Sequence, residues 1–203
     1  MIIIDAFIKQ FSKTFPNEGN LQPWEITENI SKTLYQTITG LDNNYEIKGG
    51  IAVHNTATIE KGAILKAPAI ICENCFIGAH AYLRGGVYIG SSTKVGPSCE
   101  IKSSILLQNI SVAHFNFIGD SIIGNNVNFE AGALIANHYN EREIKTIFVL
   151  IDSITNNTGV EKFGSLVGDD SKIGANSVLS PGTILKPNTI VKRLELIEQN
   201  KNY

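Results

Sequence analysis

Aliphatic residues recur every six positions from Val53 to Leu107 without a gap: Val53, Ile59, Leu65, Ile71, Ile77, Leu83, Ile89, Val95, Ile101 and Leu107. With aliphatics at roughly a quarter of positions, such a run arises by chance about once in a million. Four residues after each one sits a mostly small side chain: Ala57, Ala63, Ala69, Cys75, Ala81, Val87, Thr93 and Cys99, then Ile105 and Ser111. The pattern resumes at Val167, Ile173, Leu179, Leu185 and Val191, with Ser171, Ser177, Thr183 and Thr189 in the small positions. A period of six fits neither an α-helix nor a plain alternating strand. It is the signature of a β-helix built from hexapeptide repeats.

Each hexad predicts one short strand and one turn, and three hexads close a triangular coil. Successive coils stack as parallel strands about 4.8 Å apart. The aliphatic and the small residue point inward, because strand side chains alternate between faces. The fold class expected is therefore all-β: a parallel β-helix over 48–193. Counting forward from Leu107, Ala113 begins a hexad, yet Ile123 lies only ten residues on. We therefore expect two residues to be missing across AHFNFIGDSI, and such breaks mark places where something beyond packing is required.

Residues 1–47 lack the period and read as a short α-helical N-terminal cap. Phe7, Ile8, Phe11 and Phe15 fit one amphipathic helix, ended by Pro16 and Gly19. A second helix starts near Pro23, carries Trp24, Ile30, Leu34 and Ile38 on one face, and stops at Gly40. Both are expected to cover the N-terminal mouth of the prism, and the 194–203 tail to form a short helix over the other mouth. The stretch 138–162 interrupts the repeat; its apolar residues Ile144, Ile147, Val149 and Ile151 and its NNTG turn suggest a projecting hairpin. A loop this long inside a compact repeat is usually functional.

Composition narrows the picture modestly. The 203 residues suit one domain, and a net charge of −2 gives no reason to expect nucleic-acid or membrane partners. The opening MIIIDAFIKQ places Asp5 and Lys9 too early for a signal peptide, and three cysteines suit a reducing cytoplasm. Cys72 and Cys75 form a CxxC, but Cys75 and Cys99 fall in the small inward position. No second pair completes a metal site, and none is expected.

The segment HFNFIGDSIIGNNVNFEAGALIAN, together with LRGG, CEIKSS and KFGSLVGDDSKIG, resembles two related sources. One is the acetyltransferase domain of the bifunctional bacterial enzymes that form UDP-N-acetylglucosamine. The other, closer still, is the C-terminal domain of archaeal sugar-1-phosphate nucleotidyltransferases that also acetylate amino sugar phosphates. The resemblance runs from about residue 50 to 193. It implies left-handed winding, a homotrimer with sites between neighbouring prisms, and acetyl-CoA as co-substrate. It also implies roles for individual residues. His114 matches the catalytic histidine, Arg84 and Lys102 the basic pair that binds phosphates, and Asn128 a sugar-binding asparagine. Phe117 stands where the family has a substrate-binding tyrosine, Asn137 matches the asparagine near the acetyl group, and Lys162 matches a lysine in the family's NKFK-type segment. His138 follows where tyrosine is common. Arg142 and Lys145 resemble basic residues of the archaeal proteins.

From spacing alone, Arg84 and Lys102 each follow an inward aliphatic, so both face outward and stack one coil apart, able to converge on a phosphate. His114 lies two hexads beyond Lys102, on a neighbouring face. A neutral imidazole, with a reference pKa of about 6.5, suits proton removal from an attacking amine. Departures from the pattern put the substrate in question: Phe117 lacks the hydroxyl, GAGT reads EAGA and adds Glu130, and Ala175 replaces a serine. The histidine spacing of hexapeptide carbonic anhydrases is absent. So is the Gly-rich loop of a nucleotidyltransferase domain, which makes nucleotidyl transfer by this chain unexpected. Two readings stay open. One is a cytoplasmic, trimeric, acetyl-CoA-dependent N-acetyltransferase for an amino sugar phosphate or nucleotide-linked amino sugar. The other is a non-catalytic sugar-nucleotide-binding or assembly module. Thiol release from acetyl-CoA separates them.

Overall fold

The computed structural model describes residues 1–199. The hexads form a left-handed parallel β-helix with three faces. Face A stacks seven parallel strands: Thr58–Ile59, Phe76–Ile77, Lys94–Val95, Ser111–Val112, Asn128–Phe129, Lys172–Ile173 and Ile190–Val191. Face B carries Ile64–Leu65, Phe117–Gly119, Leu134–Ile135, Val178–Leu179 and Leu196–Ile197. Face C carries Ile51–His54, Ala69–Ile71, Ile122–Ile123, Ser165–Val167 and Thr183–Leu185. Two longer strands, Tyr82–Ile89 and Glu100–Leu106, run round the B/C corner and serve both faces. The core is the predicted one: Ile77, Leu83, Ile89, Val95 and Ile101 are fully buried, with Cys75, Ala81, Thr93 and Cys99 in the tight inward positions.

Glycines that follow an inward aliphatic have a clear steric reason. A Cβ on Gly78 would lie 2.7 Å from the Pro97 nitrogen of the next coil, and one on Gly90 would lie 2.7 Å from the Leu107 backbone. At the corners, single residues adopt left-handed backbone, among them His80, Ser98 and Phe115 at A/B and Asn109, Asn126 and Asp170 at C/A. Asn and Asp tolerate that conformation through local hydrogen bonds. At C/A they also bond to one another along the stack, Asn109 to Asn126 and Asn126 to Asp170, both at 2.9 Å.

The register does shorten by two residues, but at two places rather than one. Each coil is three full hexads up to the pair Arg84↔Lys102, and one residue shorter from Val87↔Ser104 onward. Inward Ile101 is followed after five residues by Leu106, and Ile118 after five by Ile123. The deletions therefore sit at Ser103 and Asp120, both at the B/C corner and both with positive φ. Between them Val112 and Ile118 keep the interval of six, so AHFNFI is regular. Accordingly Ile110 and Val112 are buried while Ser111 is exposed, and Leu107 takes the position that Gly90 holds one coil earlier. Buried serines brace the shortened corner. Ser104 Oγ donates to the Lys102 carbonyl (2.7 Å) and accepts the Ser121 N–H (3.0 Å). Ser121 Oγ repeats this with the Gly119 carbonyl (2.7 Å) and the Ser165 N–H (3.0 Å).

The N-terminal segment lies along face C instead of over the mouth. Outward positions of that face are apolar in every later coil: Ile70, Ile105, Ile122, Leu166 and Ile184 are buried and Tyr88 is half-buried. The helix Pro23–Ile38 starts at a Gln22–Glu25 capping box with Pro23 in its first turn. It buries Trp24, Ile26, Ile30 and Leu34, with Ile30 close over Gly86. The earlier helix is reduced to a 3-10 turn, Ile4–Ala6, and one turn, Phe11–Thr14. Its continuity is lost because residues 7–9 bond to the prism. Asp169 N–H donates to the Phe7 carbonyl, and the Lys9 N–H to the Asp169 carboxylate, both at 2.9 Å. Gln10 then turns left-handed.

At the N-terminal edge Tyr45–Lys48 pairs antiparallel with Ile51–His54. In the tail, Leu196–Ile197 pairs with Val178–Leu179 as a strand where a helix was expected, because Ile197 falls six residues after Val191 and continues the hexads. Residues 200–203 of that expectation lie outside the described residues.

The 138–162 stretch does form a hairpin, Phe148–Ile151 with Ile154–Asn157. Its reversal is at Asp152–Ser153, both left-handed, and not at NNTG. Nor does it project freely. Ile147 and Val149 are fully buried, and Ile147 lies against Gly182, so the hairpin extends the cover of face C over the last coils. Ile144 alone of its predicted apolar set is exposed, at 65%.

Candidate active site

Every irregularity of the solenoid falls at the B/C corner: the Gly85–Gly86 bulge, the two deletions and the 138–162 excursion. Arg84 and Lys102 meet there as direct register partners on successive coils. Each already holds a carboxylate. Arg84 pairs with Glu100 at 2.6 Å and stacks over the Tyr82 ring. Lys102 pairs with Asp120 at 2.5 Å, a more enclosed contact with side chains 15% and 9% exposed. In the following coil Asn137, buried, donates its amide N–H to the same Asp120 oxygen, and its Oδ1 lies 3.1 Å from His138 Nδ1. Backbone bonds pin Asp120 itself: its N–H donates to the Lys102 carbonyl (2.8 Å) and its carbonyl accepts the Gly164 N–H (2.9 Å).

The long helix leans over this corner, and a cleft of about 660 Å³ opens between them. Thr27, Glu28 and Ser31 form its helical wall, Gly85, Ser103 and Asp120 its floor, and residues 159–162 its far rim. Exposed Lys162 supplies the rim cation. Four of the residues matched by resemblance, Arg84, Lys102, Asn137 and Lys162, thus gather at one corner, with His138 beside them.

The remaining candidates lie elsewhere. His114 is exposed at the A/B corner, in edge contact with the Phe115 ring, while its carbonyl accepts the Gly132 N–H. Among the described residues no group hydrogen-bonds to its ring nitrogens. Asn128 is exposed on face A between Ser111 and Lys172. Phe117 sits on face B, between the two corners, its ring close to Gly119.

Glu130 is committed to Arg193, which it grips through two 2.7 Å bonds, and it accepts the Ala175 N–H at 2.9 Å. Those bonds hold its carboxyl at about 2. The pair is intact above the usual carboxylate range and is lost as pH falls toward 2. We expect the Glu130 carboxyl resonance to titrate near that value, and Arg193→Ala to return it toward the usual range. An unchanged midpoint in the variant would show that Arg193 is not the cause.

Arg142 is occupied as well, stacked 3.3 Å over Tyr139 and paired with Glu198 at 3.3 Å, while Lys145 donates to the carbonyls of Tyr139 and Asn140. These contacts anchor the foot of the hairpin. The three cysteines are buried and unbridged. Burial pushes the Cys75 thiol up to about 12 and raises Cys72 and Cys99 too, which suits packing and not redox chemistry. No cluster of three or more metal-ligating side chains exists among the described residues.

Sequence reasoning passed over Asp120, Glu100 and Arg193. An aspartate in GDS at the very residue where the coil shortens was the available signal for Asp120. Glu100 comes into view only once the register sets it beside Arg84 on the next coil.

Stacked hexads with these corner groups define a left-handed β-helix of hexapeptide repeats. Residues 68–103 match the family described as Bacterial transferase hexapeptide (six repeats). The chain is 30% identical over 154 residues to the bifunctional sugar-1-phosphate nucleotidylyltransferase/acetyltransferase of Sulfurisphaera tokodaii, covering 72% of this chain and 37% of that protein. It is 31% identical over 155 residues to the bifunctional protein GlmU of Methanococcus vannielii, covering 74% and 37%. With GlmU of Methanocaldococcus jannaschii it is 30% identical over 157 residues, covering 74% and 37%. The chain therefore spans a little over a third of the length of these relatives. No helix among the described residues is long and apolar enough to cross a membrane.

Proposed function

We propose that this chain is an acyl-CoA-dependent N-acyltransferase, with acetyl-CoA as donor and an amino sugar phosphate or nucleotide-linked amino sugar as acceptor. The observation that carries the reading is the gathering at the B/C corner. Arg84 and Lys102 are register partners, and Asp120 ties Lys102 to Asn137, so residues matched separately by resemblance form one physical unit. The relatives' printed names support the same chemistry. As the substrate amine attacks the thioester carbon, its C–N bond forms, its N–H proton must leave, and the CoA thiolate departs. His114 takes that proton in this reading.

His114 and Lys102 sit on opposite edges of face B, so one chain does not bring them together. A homotrimer with face B turned toward its axis would set the A/B corner of one chain beside the B/C corner of the next. Exposed Ile64, Leu134 and Leu196 on that face favour such burial. Sedimentation should accordingly give a trimer; a stable monomer at micromolar concentration would remove this part of the proposal.

The test of activity is thiol release from acetyl-CoA with glucosamine 1-phosphate, galactosamine 1-phosphate and UDP-linked amino sugars. Arg84→Ala should weaken binding of the phosphorylated acceptor by roughly 1.5–3 kcal/mol, the worth of a charge-assisted bond. Arg84 is the cleaner of the two cations to remove, because its partner Glu100 stays hydrated whereas loss of Lys102 strands Asp120. An unchanged KM would locate the phosphate elsewhere.

A second reading, a sugar-nucleotide-binding or assembly module without turnover, is favoured by one observation. Both cations are already neutralised by carboxylates, and Phe117 offers no hydroxyl. Binding of the same sugars without thiol release would decide for it.

A further inference from the structure

We infer that His138 is held as a single neutral tautomer, with the proton on Nδ1 and the lone pair on Nε2, and that Nε2 accepts a hydrogen bond from a hydroxyl or amine of a ligand at the B/C corner. Asp120 is the positioning residue that sets this, acting through Asn137. The inference follows from which groups can donate. Lys102 Nζ, an ammonium with donors only, lies 2.5 Å from Asp120 Oδ2, so that oxygen accepts. The Asn137 group facing the same accepting oxygen must then be the amide NH₂. The amide cannot then turn, and its carbonyl Oδ1 is directed to His138 Nδ1 at 3.1 Å. A carbonyl oxygen also only accepts, so Nδ1 must carry the hydrogen. In a neutral imidazole the other nitrogen is then an acceptor, the state being set by the bond the first one makes.

Burial makes the arrangement firm. Asp120 and Asn137 are each 6% exposed, and their backbones are tied to neighbouring coils by the Lys102 and Gly164 bonds at Asp120 and by the Phe163 N–H to the Asn137 carbonyl (3.0 Å). His138 itself is exposed. The chain of bonds thus begins at an enclosed cation and ends at one accessible acceptor atom. A neutral acceptor attracts O–H and N–H groups and offers nothing to an anion. The part of the ligand that faces His138 is therefore a sugar hydroxyl or amine, with phosphate left to the cations. This last step rests on the sugar-binding reading above; the tautomer does not.

The experiment is ring ¹⁵N NMR of the protein at pH 8, without ligand, for the wild type and Asp120→Gly. Glycine adopts the left-handed φ of 46° at position 120 without strain. It removes the acceptor that Lys102 and Asn137 share, so the Asn137 amide is free to turn its carbonyl toward Lys102 and the constraint on His138 is lost. The wild type should show His138 as the Nδ1–H form, and Asp120→Gly should shift it toward the Nε2–H form usual in water. A wild-type Nε2–H tautomer, or no change in the variant, overturns the inference whatever the protein's activity. Glucosamine should then shift the wild-type Nε2 resonance while inorganic phosphate leaves it in place. A shift with phosphate alone would overturn the ligand assignment. With an active acceptor, His138→Phe, which leaves the Lys102–Asp120 pair in place, should raise KM about fivefold with kcat nearly unchanged, the effect of one lost hydrogen bond. A fall in kcat alone would contradict a binding role. If the tautomer is as inferred but no amino sugar is acylated, the transferase reading fails and the relay stands.

Discussion

His114→Ala should lower kcat by at least about 100-fold, with the proposed trimer and CoA binding retained, and this is the largest effect expected on activity. General-base catalysis typically contributes 10²–10⁴-fold, and the lower end applies where water can partly substitute. The imidazole is exposed and lies against the Phe115 ring, so its removal leaves no buried gap in the prism. A loss of activity would therefore report chemistry and not unfolding. His114→Gln should behave alike, since an amide fills the space but cannot take the proton. Steady-state kinetics on the amino sugar that shows turnover, with sedimentation as the control, measures both. Near wild-type rates in either variant would move the base to another group, His138 first.

Gly96→Ala should be among the most destabilising conservative changes in the stack. A Cβ at that position would fall on the Ala113 carbonyl oxygen and lie 2.7 Å from its carbon. Both are backbone atoms of the next coil, held in the parallel ladder, so neither can swing aside as a side chain would. Overpacking typically costs 1–3 kcal/mol and sometimes more; we expect about 3 kcal/mol here. For a chain of this size that corresponds to a fall in Tm of roughly 6–12 °C. Gly40→Ala is the control, because its Cβ would meet nothing nearer than the Thr37 carbonyl at 3.7 Å. Equal melting of the two variants would show that coil spacing relaxes to admit a methyl group.

The stacked coils were legible because one physical constraint, filling a narrow triangular interior, repeats at every sixth residue and leaves little freedom. The long helix was legible for a similar reason, since Pro23 and Glu25 cap it and one stripe of apolar residues serves one surface. Its place on face C was not read, although the signal exists. Once per coil an outward apolar residue directly precedes the inward one, as in Ile70–Ile71, Tyr88–Ile89, Ile105–Leu106 and Ile122–Ile123. A period of one whole coil is invisible to a search at six. Of the two shortenings, the one at Asp120 falls inside the expected stretch, and the one at Ser103 was missed because Leu107 and Ala113 satisfy the hexad count as well as Leu106 and Val112 do; side-chain type alone cannot separate adjacent aliphatics. Resemblance brought out Arg84, Lys102 and Asn137 but not Asp120, whose role depends on partners in the coils before and after it. The corner residues of the candidate site were thus half legible, and the bonds between them were not.

The bonds from Phe7 and Lys9 to Asp169 join the first turn of the chain to a coil about 160 positions later. During vectorial synthesis at 5–20 residues per second, residues 7–9 must wait roughly 8–30 s after emerging for that partner to exist. Through that interval the outer surface of face C, with Ile105 and Ile122, has its lengthwise strap tied at one end only. A solenoid of this kind ordinarily adds and sheds coils one at a time. Here the last knot is tied by residues made some 160 positions before it, so coils that never touch one another come to stand or fall together.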